Sequence, residues 1–116
     1  MTRIFASLAI STLAVLATPA LAKGDLDAGK AKAIACQACH GTDGNAGIDP
    51  QYPRLAGQYR DYLARALHEY RSGKRTNPIM AGFAGPLSDQ EIDDLAAYFS
   101  SLPGKLSTLH GHVQGQ

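Results

Sequence analysis

The run Cys36-Gln37-Ala38-Cys39-His40 holds both cysteines of the chain, three positions apart, with a histidine directly after the second. Residues three apart on a helical turn project to the same side, so both sulfurs can reach one edge of a planar ligand. The next residue then swings its imidazole beneath the centre of that ligand. This is the C-x-x-C-H pattern of haem c attachment, with two thioethers to the porphyrin and the histidine as proximal iron ligand. Three other chemistries use paired cysteines. A zinc site needs two more Cys or His ligands at a second knuckle; there are no further cysteines, and His110 and His112, which could serve, sit on the tail. A redox dithiol expects a βαβ setting, which is missing here. A Cys36–Cys39 disulfide would close a loop too small to stabilise much. The pattern therefore predicts one haem c per chain, with its iron, held by Cys36 and Cys39 and ligated by His40.

Outward from this motif the chain reads as helical, with no convincing strand. Towards the N-terminus, Asp25 or Asp27 caps a helix that runs through Ala35. Gly29 and Ala33 lie on one bare face of it, where another helix can approach closely. A second helix spans Gln58 to about Arg71, with Tyr59, Tyr62, Leu63, Ala66, Leu67 and Tyr70 recurring at the helical period. Ser72-Gly73 ends it. A third begins at a capping box of Ser88 and Glu91, with Leu87 stapled to Ile92. Its inward stripe is Ile92, Leu95, Ala96, Phe99 and Leu102, and Pro103-Gly104 stops it. Two long connections remain, one from Gly41 past Pro53 and one from Thr76 to Pro86; loops of that length in a small domain are expected to wrap a ligand.

Residues 1–22 read as a cleaved secretory signal. Arg3 precedes an uncharged, mostly apolar run from Ile4 to Ala17, and Pro19 and Ala20-Leu21-Ala22 supply the cleavage pattern. That run has 14 residues, short of the roughly 20 needed to span hydrocarbon, and no later run is longer. Of 116 residues, 94 then remain, with the domain over 23–104 and a flexible tail over 105–116. A domain of this size often needs a cofactor to complete its core. Apolar residues make up 45% of the chain and charged ones 18%, which suits a globular protein. Without Arg3, ten basic residues balance ten acidic ones, which excludes a strongly basic nucleic-acid binder. Charge is nonetheless uneven, with six basic and two acidic residues over 54–75 and four acidic residues over 89–94. Such a separation either orients a partner or complements the helix ends.

Met80 is the only methionine after the leader and lies forty residues beyond His40, in the second long connection. From there its thioether can approach the iron opposite the imidazole; the other role for such a methionine is filling a gap in the core. His68 falls off the apolar stripe of the second helix, and His110 and His112 fall on the tail. Met80 is the expected distal ligand.

These segments resemble the class I bacterial cytochromes c of the single-haem, His/Met-ligated, exported type. The matching pieces are Cys36 to Gly41, Asp43-Gly44-Asn45, Tyr52 to Gln58, Arg71 to Met80, and Leu87-Ser88-Asp89. They cover the chain from about Gly24 to Leu102. A single C-x-x-C-H sets it apart from two-haem relatives. The resemblance implies an all-α, small cytochrome c fold, with three main helices and two long loops wrapped around one covalently bound haem. It implies that the Pro53 carbonyl accepts the Nδ1–H of His40, with Pro50 as the alternative, and that Leu55 packs against the haem face. Gly29 would sit where the first and last helices cross, against Tyr98 or Phe99.

Filling both axial positions with side chains leaves one-electron exchange between Fe(III) and Fe(II). The chain is thus expected to be an electron-transfer protein and not an enzyme. Its partners would be redox protein donors and acceptors, some membrane-bound, met in the bacterial periplasm by a mature chain with no transmembrane segment. Arg54 and Arg65 are candidate partners for the haem carboxylates. Two other readings stand beside this one: a cytochrome subunit tightly bound to a periplasmic dehydrogenase or oxidase complex, and an open iron if Met80 does not ligate.

Overall fold

Asp25 starts the first helix, α1, Leu26–His40, by accepting the backbone N–H groups of Asp27 and Ala28 at 2.8 and 3.0 Å. This computed structural model describes residues 24–45, 47 and 49–106. The expected leader and most of the expected tail, with His110 and His112, lie outside the described residues. Past Ala35, where the helix was expected to end, α1 continues for five residues, so Cys36, Cys39 and His40 form its last turns. Nothing before Gly41 breaks a helix. Gly41 does, at φ 88 and ψ 150, a conformation that a Cβ would disfavour.

The second and last helices, α2 (Arg60–Ser72) and α4 (Asp89–Ser101), match the expected segments to within about two residues. Between them lies a helix that the sequence reading treats as loop, α3 (Pro78–Ala84). The Asn77 side chain accepts the N–H groups of Ile79 and Met80 at 3.0 and 3.1 Å, and Pro78 occupies the first turn, where its missing N–H costs nothing. No strand occurs among the described residues.

The core joins Ala33 of α1, Leu63 of α2, and Leu95, Ala96 and Phe99 of α4. Helix α4 packs on both α1 and α2, whereas α3 packs on α2 alone. The α1–α4 crossing is at Gly29, where a Cβ would run into the backbone carbonyl of Asp94 and stand 2.8 Å from the Cβ of Tyr98. Buried Asp94 strengthens the crossing, accepting the Asp25 N–H at 2.7 Å and the Gln90 side-chain amide at 2.8 Å.

Glu91 and Asp89 at the start of α4 also serve as ties. Glu91 pairs with Lys32 of α1 at 2.5 Å while closing the capping box on the Ser88 N–H at 2.8 Å. The Lys32 ammonium beside Glu91, and then the Ser88 N–H, hold its carboxyl below the usual range. Arg71 of α2 donates to the Leu87 carbonyl at 2.9 Å and to Asp89 at 2.5 Å. The acidic cluster is therefore largely engaged in holding helices together. Among the described residues no helix is long and apolar enough to cross a membrane.

Gly29→Ala should lower stability by about 1–3 kcal/mol, because two backbones must separate to admit the methyl group. Chemical denaturation would register this as a lower midpoint at an unchanged slope. A depressed carboxyl contributes stability above its unfolded pKa, and that contribution is lost as pH falls through the folded value. Lys32→Met is accordingly expected to flatten the acid limb of the stability–pH profile below the usual carboxylate range, with little change in its shape above neutrality.

Candidate metal centre

The C-terminal end of α1, the connection after it, α2 and α3 enclose an apolar cavity of about 400 Å³. This lies within the roughly 300–1,000 Å³ usual for bound small molecules. Helices α1 and α3 do not pack on each other, yet residues of both line the cavity, with Leu95, Ala96 and Phe99 of α4. Cys36, Cys39, His40, Pro53, Leu55 and Met80 all line it. The tertiary fold thus brings together the expected thiols, imidazole and thioether with the two expected supporting residues.

His40 is buried, and its Nδ1 stands 2.8 Å from the Pro53 carbonyl oxygen. A carbonyl only accepts, so Nδ1 carries the proton and Nε2 keeps its lone pair for a metal. The Tyr52 ring stands nearly perpendicular to the imidazole at a centroid distance of 6.2 Å. Exposed Pro50 does not line the cavity, and Pro53 has the role for which it was the alternative.

The Pro53 carbonyl is itself held in place. Leu55 and Ala56 donate their N–H groups to the Gly44 carbonyl at 2.8 and 3.0 Å. Arg54 Nε donates to the Asn45 carbonyl at 2.8 Å, anchoring the residue next to Pro53. The buried Asn45 side chain reaches the far end of the chain, donating to the Pro103 carbonyl and accepting the Lys105 N–H, each at 2.9 Å. This hub links the loop after the motif to the exit of α4. The sequence offers only a Gly-Asn turn as its signal, with no hint of partners so far along the chain.

Cys36 and Cys39 are free, half-buried thiols. Burial pushes the Cys36 thiol up, and the neighbouring Cys39 adds to the effect. A nucleophilic dithiol needs the reverse, a thiol lowered at a helix N-terminus, whereas these two sit at the negative end of α1. Among the described residues no three His, Cys, Asp or Glu side chains gather as a metal-binding group. The donor set fits haem c instead: two adjacent thiols, an imidazole with its outer nitrogen already satisfied, a thioether and apolar walls. Arg54 and Arg65 do not line the cavity; Arg65 lies over the Tyr62 ring at 5.8 Å. Among the described residues Arg75, which falls within the matching piece Arg71 to Met80 but has no expected role there, is the one Arg, Lys, Asp or Glu side chain in the lining.

Comparison with known proteins agrees with this chemistry. The family model for cytochrome c matches residues 26–103. The cytochrome c4 of Pseudomonas aeruginosa is 48% identical over 96 residues, which are 81% of this chain and 47% of that protein. Cytochrome c-554(548) of Halomonas halodenitrificans is 47% identical over 81 residues, 67% of this chain and 96% of that one. Reduced recombinant cytochrome c4 from Pseudomonas stutzeri superposes with a TM-score of 0.66 at 42% identity, covering 72% of this chain and 48% of that one. The chain spans about half the length of the cytochrome c4 relatives it matches.

Asn45→Ala should leave the Pro103 carbonyl and the Lys105 N–H without their partner and cost about 1–3 kcal/mol of stability, checked by denaturation of the holoprotein.

Proposed function

The chain belongs to the cytochrome c family, and on that premise we propose that it is a single-haem electron carrier, exported to the periplasm, that exchanges one electron at a time with redox proteins. One observation carries this reading: the two thiols of the C-x-x-C-H motif, the His40 imidazole and the Met80 sulfur line the same apolar cavity. Covalently bound haem c supplies reversible one-electron exchange at its iron.

The chain's own residues do the rest. Cys36 and Cys39 would hold the group through thioethers, His40 through Nε2 and Met80 through its sulfur. The Pro53 carbonyl keeps the proton on Nδ1, which orients the ring and makes Nε2 a stronger donor. Leu55 and Leu67, both lining the cavity, exclude water, so few mobile dipoles reorganise when the charge changes. A thioether favours the reduced state, which raises the potential above that of a bis-imidazole site. With His40 and Met80 both holding the iron, the site would leave a small molecule no place to react, and the role would be transfer without catalysis.

Ile79 and Phe83 line the cavity yet are 52% and 48% exposed, giving a redox partner an apolar contact next to the cofactor. The same pair favours a second reading, a subunit held permanently in a larger periplasmic dehydrogenase or oxidase. Native expression separates the two: a carrier elutes as a small free protein, a subunit with its complex.

The purified mature protein should give a low-spin haem c spectrum in both oxidation states and no carbon monoxide adduct when reduced. Met80→Ala should bind carbon monoxide and lower the potential. An adduct in the unmodified protein would dismiss Met80 as ligand, and a colourless product with two free thiols would dismiss the carrier.

A further inference from the structure

The segment that presents Met80 has little burial of its own. Helix α3 packs on α2 alone, and only Ala84 of its residues is buried. Its far end is tied to α2 through Arg71, which holds the Leu87 carbonyl and Asp89. Its near end is tied through Arg75, five residues before Met80. The Arg75 N–H donates to the Glu69 carbonyl at 3.1 Å, and its guanidinium donates to the Tyr62 hydroxyl at 3.0 Å. The same guanidinium lies over the rings of Tyr62 and Tyr70, at 5.7 and 5.3 Å from their centroids. Between this clamp and Met80 lie only residues 76–79, and among them the Asn77 side chain caps the N–H of Met80 itself. Arginine suits the position because a planar cation can face two rings and still donate in its own plane.

We propose that Arg75, clamped by Tyr62 and Tyr70, is the positioning residue that keeps Met80 over the cavity, and that this latch governs how readily an outside ligand replaces the methionine sulfur. The inference rests on the reading of Met80 as axial ligand. Replacement breaks the sulfur–iron bond and makes a nitrogen–iron bond with imidazole, the iron staying ferric throughout. The apparent affinity of imidazole then scales with the fraction of molecules whose methionine has swung away. Two ring contacts and one hydrogen bond together correspond to roughly a tenfold change in that fraction.

The test is an imidazole titration of the ferric holoprotein, followed at the sulfur-to-iron charge-transfer band. Arg75→Gln is expected to bind imidazole about tenfold more tightly than the unmodified protein. Tyr62→Phe, which keeps the ring and loses only the hydroxyl, should give a smaller gain of roughly two- to fivefold. Arg65→Gln, on the same ring but outside the Met80 segment, should leave the affinity unchanged. If Arg75→Gln does not take up haem, Tyr62→Phe and Arg75→Lys carry the measurement, the lysine being expected to loosen the latch because it cannot face both rings. Wild-type affinity in the variants with an intact band would overturn the latch, even if the potential had moved. A missing band in the unmodified protein would instead overturn ligation by Met80, and the latch with it.

Discussion

The close crossing of α1 and α4 at Gly29 sets the direction in which α1 leaves the core. Two backbones meet there with no side chain between them, and Asp94 fastens the start of α1 by accepting the Asp25 N–H. Eleven residues further on, the same rigid rod delivers His40 to the cavity in its last turn. An error of angle at Gly29 would be magnified over the roughly 1.5 Å rise of each intervening residue. The imidazole then needs one more restraint, about its own bond, and the Pro53 carbonyl supplies it.

The two sides of the cavity are built to different standards. On the His40 side, a helix buried at Gly29, Ala33 and His40, a hydrogen-bonded loop and the Asn45 hub restrain the site from several directions. On the Met80 side, a two-turn helix rests on α2 between two arginines, with Ile79 and Phe83 open to solvent. Thin packing of this kind belongs to the low-stability end of a structure, where opening is local. A domain this small leaves its apolar centre to a bound group, and the residues around that centre divide into a firm wall and a yielding one.

Electrostatics follow the same economy. Over 54–75 and 89–94 the sequence separates basic from acidic residues, a pattern compatible with partner steering. In the fold, Glu91 is engaged by Lys32 and the Ser88 N–H, Asp89 by Arg71, and Asp94 by the Asp25 N–H and Gln90. Those acids stitch α4 to α1 and α2, which leaves less of the separation available to a partner. The apolar rim near Met80 is the more distinctive surface.

Signals contained in consecutive residues could be read without a fold. The C-x-x-C-H motif, the Ser88–Glu91 capping box and the bare Gly29–Ala33 face are of this kind, since the chemistry of each lies within one or two helical turns. The all-helical class and three of the four expected donors followed from them, while Met80 was expected because it is the only methionine after the leader. The Asn77-Pro78 helix start was equally local but was hidden among the glycines and prolines around it. Tertiary structure alone decided the rest. Asn45 meets Pro103 and Lys105 across 58 and 60 residues, and Arg75, not Arg54 or Arg65, faces the cavity. Such contacts depend on how helices are placed in space, and a side chain's neighbours across that distance leave no periodicity or spacing in the chain that carries it.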